Sequence, residues 1–362
     1  MARSRPRERG WPPVPEPLPF PVVDNHTHLD SVLTFPVPEP ADGAEPDAGA
    51  PAGGGERVAP RTLADHLDLA ASVGVTRLVQ VGCDLAAVRW TDAVLRADAG
   101  LAPDAGLAPD AGTAPDAGMP PDAGTDPRPG AQPPAPRRAL LGALAIHPNE
   151  AVLHAGVHEL APDGLEPDPR PWHDRSLDDA LAEVAATARA NPRVRAIGET
   201  GLDHFRAGSR GRQVQAEAFR AHIALAKELG LALQIHDRDA HTEVVEILLR
   251  DGAPERTVFH CFSGDAALAE LCAARGWFLS FAGPVTFGAN DALRAALAVV
   301  PLSQVMVETD APYLTPHPYR GRPNAPYLVP HTVRRVAAVT GLDLATVCRV
   351  TSATAEAVYG PW

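Results

Sequence analysis

Along this chain, short apolar runs alternate with longer stretches in which apolar residues recur every three to four positions. The runs are PVVDNH (21–26), TRLVQVG (76–82), ALLGALAI (139–146), VRAIGE (194–199), LALQIH (231–236), TVFHCF (257–262), GWFLSF (276–281) and QVMVET (304–309). Each has the length of a strand. The helix-like stretches are 61–73, 84–97, 178–190, 213–229, 239–250, 265–274 and 290–299, with two more near 328–339 and 343–358. Strands that each return through a helix imply parallel pairing and right-handed crossovers. Eight such units predict a closed (β/α)8 TIM barrel, an α/β fold.

Two stretches break the pattern. Residues 37–60 and 98–136 are rich in Pro, Gly, Ala and Asp, and the second carries LAPDAG, LAPDAG, TAPDAG and MPPDAG in tandem from Leu101 to Gly124. A period of six residues with almost nothing large and apolar to bury builds no core of its own. Both stretches are therefore expected to be disordered inserts within one barrel domain spanning 21–362, preceded by a disordered N-terminal arm, 1–20. The functional alternative for the repeat is a docking site for a partner.

A formal charge of −13 opposes a nucleic-acid partner at first sight. Residues 37–60 carry a net −4 and residues 98–136 a net −5, so the remainder of the chain is only mildly acidic. Lys227 is the only lysine in this Arg-rich chain, a bias of composition from which no chemistry is read. The opening MARSRPRERG is basic enough for a signal peptide but runs into WPPVPEPLPFP instead of an apolar stretch, so secretion is not expected. No run approaches the roughly 18–20 apolar residues of a membrane span. Cys83, Cys261, Cys272 and Cys348 form no close pairs, and a cytoplasmic, reducing setting is expected.

Candidate chemistry gathers where the strands end. His26 and His28 close the first run two residues apart, a spacing that points both imidazoles to one side of an extended chain. Glu199 closes VRAIGE, His236 closes LALQIH, His260 lies at the end of TVFH, and Asp310 follows QVMVET. In a parallel barrel all of these ends share one face, where active sites are built. Six imidazole and carboxylate ligands are more than one ion needs. Read one at a time, Asp310 could instead cap a helix and His236 could be satisfied by Asp237, but six coincidences at equivalent strand ends are improbable.

DNHTHLD (24–30), AIHP (145–148), AIGETGLD (196–203), QIHDRDA (234–240), HCFSG (260–264), SFAGPVTF (280–287), ETDAPYLTP (308–316) and RGRPNAP (320–326) resemble, in order, the motifs of the TatD family of metal-dependent hydrolases. The resemblance runs from Val23 to about Tyr359. It implies two divalent ions, Mg, Mn or Zn, with His26, His28 and Asp310 on one, His236 and His260 on the other, and Glu199 bridging. It also implies a DNase or 3'-5' exonuclease acting on the ends of single-stranded DNA or RNA. Two ions roughly 3.5–4 Å apart would lower the pKa of a water and neutralise the phosphoryl group during in-line displacement. Asp310 is then the candidate general base, with Glu199 as its catalytic companion. Arg238 and Arg320 become candidate substrate contacts; His147 either hydrogen-bonds substrate or a ligand or orients its loop, Asn324 either adds a substrate contact or shapes its loop, and Asp203 is a support behind the ligands.

Departures from the family pattern bear on substrate. Gly288 and Ala289 stand where TatD proteins usually carry Lys or Arg followed by Asn, His204 replaces an aromatic after GLD, and Thr354 replaces a late Asn. A second reading is therefore an amide or ester hydrolase, such as an aminoacyl-tRNA deacylase or a small-molecule amidohydrolase. A third is a non-catalytic scaffold, which has no chemical need for six ligands. A monomer, with no membrane partner, is the default expectation.

Overall fold

A computed structural model describes residues 10–36, 61–101 and 137–362. Within them, eight parallel strands pair in sequence order: β1 (Val22–Thr27), β2 (Val75–Gly82), β3 (Leu140–Leu144), β4 (Val194–Asp203), β5 (Ala232–Arg238), β6 (Thr257–Phe259), β7 (Phe278–Phe281) and β8 (Val305–Val307). The ring closes at its carboxyl-terminal end. There Thr27 bridges to Ala311 in parallel, the Asp310 N–H donates to His26 O at 2.9 Å, and the His28 N–H donates to Ala311 O at 2.9 Å. The expected barrel is the observed one, and all eight apolar runs supply its strands.

The helices are α1 (Leu29–Thr34), α2 (Leu63–Ser72), α3 (Leu85–Ala99), α4 (Pro148–His154), α5 (Leu177–Ala190), α6 (Ser209–Leu229), α7 (His241–Asp251), α8 (Ala266–Ala274), α9 (Asp291–Val299), α10 (Val329–Thr340) and α11 (Leu344–Tyr359). Their ends carry the expected chemistry. Thr62 and Asp65 form a reciprocal capping box on α2, and the side chains of Asp84, Ser176, Asp265 and Asp343 cap α3, α5, α8 and α11. Among the described residues no single helix is long and apolar enough to cross a membrane.

Apolar burial falls in two layers. The larger lies between strands and helices and includes Leu78, Leu140, Phe219, Leu233 and Phe259. The smaller fills the barrel with Val79, Val81, Leu141, Ala143, Val258 and Met306, and α11 seats Val358 and Tyr359 against it.

Two expected boundaries move. The arm is described from Gly10, and there it is packed: Leu18 is buried, Pro12 O accepts from the Tyr327 hydroxyl at 2.6 Å, and Arg322 binds the carbonyls of Gly10 and Trp11. The many prolines of 10–20 made it read as open chain, but they carry Trp11 and Leu18 into apolar contact. Likewise α3 runs through Ala99 and ends on Gly100 with φ +68°, so the helix continues past the expected insert boundary at 98. The expected disorder of 1–9, 37–60 and 102–136 lies outside the described residues.

One buried titratable group ties stability to pH. His222 on α6 is fully buried, its Nε2 accepts from the Ile146 N–H at 3.2 Å, and its Nδ1 pairs with Thr200 Oγ1 at 2.9 Å. Burial lowers its pKa to about 4. Between the ordinary value near 6.5 and about 4 the unfolded chain binds a proton that the folded chain does not, so stability falls as pH falls through that window. The expected loss from this residue is about 3 kcal/mol. Urea unfolding at pH 7 and pH 4.5 should show a steeper decline in the native chain than in His222→Gln, and equal declines would refute the assignment.

Candidate metal centre

His26 and His28 emerge at the end of β1 with their Nε2 atoms 3.3 Å apart. Asp310 follows β8 with φ +55°, a left-handed conformation that short polar residues tolerate. That turn brings its Oδ1 to 3.5 Å from His28 Nε2 and 3.9 Å from His26 Nε2. Glu199, inside β4, completes the group, with Oε2 3.5 Å from His26 Nε2 and 3.7 Å from His28 Nε2. Ligand legs of about 2.0–2.2 Å give donor separations of roughly 3.0–3.5 Å around one ion, close to those seen here.

Glu199 Oε1 faces a second group. His236 Nδ1 lies 2.6 Å from it, His260 Nε2 3.1 Å and His147 Nε2 3.6 Å. β4 reaches β5 closely at this level because Gly201, at φ +140°, has no Cβ; one would sit 2.0 Å from His236 O. Thus the other five sequence-predicted ligands gather around Glu199, Asp310 through His26 and His28, and His147, expected to contact substrate or a ligand, stands among them.

The electrostatics are those of a cation site. Burial opposes charge on His28, but its hydrogen bond with Asp310 and the carboxylate of Glu199 outweigh burial and raise its pKa to about 10. The same opposition of burial against Asp203 and Glu199 leaves His236 at about 9. Burial pushes Glu199 up, yet His260, His147 and His236 hold it well below the usual carboxylate range. A field that draws protons this strongly would also hold dications, and the imidazole and carboxylate donors suit Zn, Mn or Mg.

A buried polar network orients the ligands from within the barrel. Gln234 spends its amide N–H groups on Tyr359 OH (2.6 Å) and Asn25 O (2.9 Å), so its Oε1 accepts from His26 Nδ1 at 3.1 Å. His26 is thereby held with Nε2 toward the centre. Glu308 stands behind His260: its Oε1 lies 2.9 Å from Nδ1 as an ion-pair neighbour and accepts from the Cys261 N–H at 2.8 Å, and its Oε2 accepts from Ser280 Oγ at 2.5 Å and Asn25 Nδ2 at 3.2 Å. The Tyr359 hydroxyl donates to Asn25 Oδ1 at 2.7 Å, joining the two branches. Asp203 Oδ2 takes His236 Nε2 at 3.2 Å and Asn149 Nδ2 at 3.0 Å. Sequence reasoning missed Asn25, Gln234, Ser280, Glu308 and Tyr359. Only Glu308 gave a signal, a carboxylate closing an apolar run two residues before Asp310.

The expected substrate contacts divide. Arg238, the last residue of β5, and Arg320, beyond β8, are exposed and stacked over Phe205 at 3.9 Å and Phe287 at 4.0 Å. Asn324 is withdrawn from the set: it is fully buried, and its amide donates to Thr309 O at 2.9 Å and Tyr313 O at 2.5 Å, shaping the loop that carries Asp310. Tyr313 is 54% exposed with its ring 6.3 Å from that of His28, so an open aromatic face flanks the centre.

The family described as TatD related DNase matches residues 23–360. The uncharacterized metal-dependent hydrolase TatD of Mycobacterium tuberculosis (strain ATCC 25618 / H37Rv) is 33% identical over 343 residues, covering 94% of this chain and 98% of that protein. The 3'-5' ssDNA/RNA exonuclease TatD of Erwinia amylovora is 37% identical over 198 residues, covering 52% of this chain and 76% of that protein. Among solved structures, the TatD homolog YJJV of Escherichia coli K12 aligns with a TM-score of 0.60 at 20% identity, over 82% of this chain and 91% of that one, a likeness of fold.

Proposed function

The chain belongs to the TatD related DNase family of metal-dependent hydrolases, and from that premise we propose that it is a two-metal phosphodiesterase shortening single-stranded DNA or RNA from the 3' end. The observation that carries the reading is Glu199, whose two oxygens each face a separate cluster of imidazoles. In this reading His26, His28 and Asp310 hold one ion, His236 and His260 hold the other with His147 beside them, and Glu199 is shared. Bound, the two ions would supply Lewis-acid neutralisation of phosphoryl charge and a water of lowered pKa.

The chain's own residues do the rest. Asp310 turns Oδ1 to the histidines, and its second oxygen is the acceptor we assign for the proton of the attacking water. Gln234 keeps His26 in the tautomer that presents Nε2, and Glu308 places its carboxylate 2.9 Å from His260 Nδ1. Arg238 and Arg320 offer guanidinium groups suited to bidentate phosphate contact. Tyr313 offers a face on which a base can stack. The assigned setting is the cytoplasm, in keeping with four free cysteines.

Carbonyl hydrolysis is the second reading: Gly288 brings no charged side chain of its own, and the nearby guanidinium of Arg294 is bound to its carbonyl at 2.9 Å. The two separate in one assay. Metal-stripped protein is given Mg, Mn or Zn and end-labelled single-stranded DNA or RNA, and products are followed in time at two salt concentrations. Metal-dependent shortening from the 3' end, with binding that weakens steeply as salt rises, is expected. Bound ions without cleavage of either polymer would transfer the assignment to carbonyl substrates.

A further inference from the structure

Cys83 is the first residue beyond β2, and its carbonyl accepts from the His147 N–H at 2.8 Å, which fixes it at the rim of the centre. Its sulfur lies 3.4 Å from Glu199 Oε2 and 3.9 Å from His28 Nδ1. The His28 ring therefore has two metal-competent neighbours: Nε2 faces His26 and Asp310, and Nδ1 faces a thiol. Tetrahedral coordination with legs of about 2.3 Å to sulfur and about 2.0–2.1 Å to nitrogen or oxygen gives sulfur-to-donor edges of roughly 3.5 Å. His28, Cys83 and Glu199 form a group of three whose ligand atoms lie within 4.8 Å of one another, with the sulfur-to-carboxylate distance at the tetrahedral edge length and the sulfur-to-imidazole distance a few tenths of an ångström longer. The neighbouring Asp84 is not part of it, because its carboxylate caps α3 through the Ala87 N–H at 2.7 Å.

We propose that Cys83 Sγ, His28 Nδ1 and Glu199 Oε2 form a binding site for a thiophilic dication, Zn²⁺ or Cd²⁺, which overlaps the hydrolytic centre and competes with it. A thiolate donor separates ions by softness: it favours Zn²⁺ and Cd²⁺ and offers little to Mg²⁺ or Mn²⁺. Binding replaces the thiol proton, which leaves to solvent, so no redox partner is involved. Competition follows from the shared ligands. Glu199 Oε2 cannot sit in both groups, and the His28 ring serves both only by losing its second proton. An ion captured by Cys83 thus withdraws two ligands from His26 and Asp310. The enzyme runs on hard or borderline ions and is inhibited by excess soft ones.

The proposal rests on reading His28 and Glu199 as ligands of the hydrolytic ions, and its primary test needs no hydrolysis. Metal-stripped full-length protein is titrated with Co²⁺, and the near-ultraviolet sulfur-to-cobalt band is recorded for the native chain and for Cys83→Ser. The band is expected in the first and absent in the second. In the native chain, Cd²⁺ should slow alkylation of Cys83 by iodoacetamide at least about tenfold, mapped by peptide mass, while Mg²⁺ should not. Identical Co²⁺ spectra, or unprotected Cys83 under Cd²⁺, would overturn the site whatever the substrate proves to be. With Mn²⁺-supported cleavage in hand, Zn²⁺ should inhibit the native chain at least about tenfold more tightly than Cys83→Ser.

Discussion

Asp310→Asn is expected to lower the cleavage rate by about 10²- to 10⁴-fold at saturating Mn²⁺, the range for removing a positioned proton acceptor. The substitution keeps the shape of the side chain and the backbone bond from the Asp310 N–H to His26 O. It removes the charge that faces His28 Nε2 at 3.5 Å and the oxygen assigned to take the water's proton. Metal affinity at that position should fall by roughly 10- to 100-fold, which saturating ion overcomes, so the surviving defect is in the chemical step. Single-turnover cleavage together with an ion count by elemental mass spectrometry makes the distinction. A variant with two ions and a rate within tenfold of native would remove Asp310 from the role of base.

Glu199→Gln is expected to be as damaging for a different reason. Its carboxylate faces both imidazole clusters, at His26 and His28 through one oxygen and at His236, His260 and His147 through the other. Gln cannot offer two charged oxygens. Ion content should drop from two to one or fewer, and the rate should fall about 10³-fold, equivalent to several kcal/mol of lost charge stabilisation. Because Glu199 is buried among histidines and not among the apolar side chains, its loss should cost the fold less than it costs ion binding, as the thermal midpoint without added metal will show. A large fall in that midpoint with two ions retained would mean that Glu199 holds the fold and not the metals.

The barrel was legible because each strand is an apolar run bracketed by polar residues, and because strand ends in a parallel barrel fall on one face. The six ligands followed from their places at those ends. The same logic could not reach Gln234, Asn25, Ser280 or Tyr359. They are polar residues that act through partners far away in sequence: His26 and Gln234 are 208 residues apart, and Asn25 and Tyr359 are 334 apart. No local pattern encodes such a pairing. For Asn324 the sequence leaves a polar contact and a loop-shaping role open, since a motif shows that a residue stands near a site and not which way its amide turns. The proline-rich 10–20 was read as open chain because composition measures the cost of ordering a segment, whereas Trp11 and Leu18 had docking positions that only the folded barrel reveals.

The network rooted on Tyr359 also sets an order of assembly. Synthesis passes residue 26 early and residue 359 last among the groups that matter to the centre, so a nascent chain stopped before α11 already contains all six ligands. It lacks the hydroxyl that binds Asn25 and Gln234 and, through them, settles His26 and His260. Such a chain has the six candidate donors without the network that orients two of them, so it is expected to hold ions less tightly than a chain whose α11 has docked.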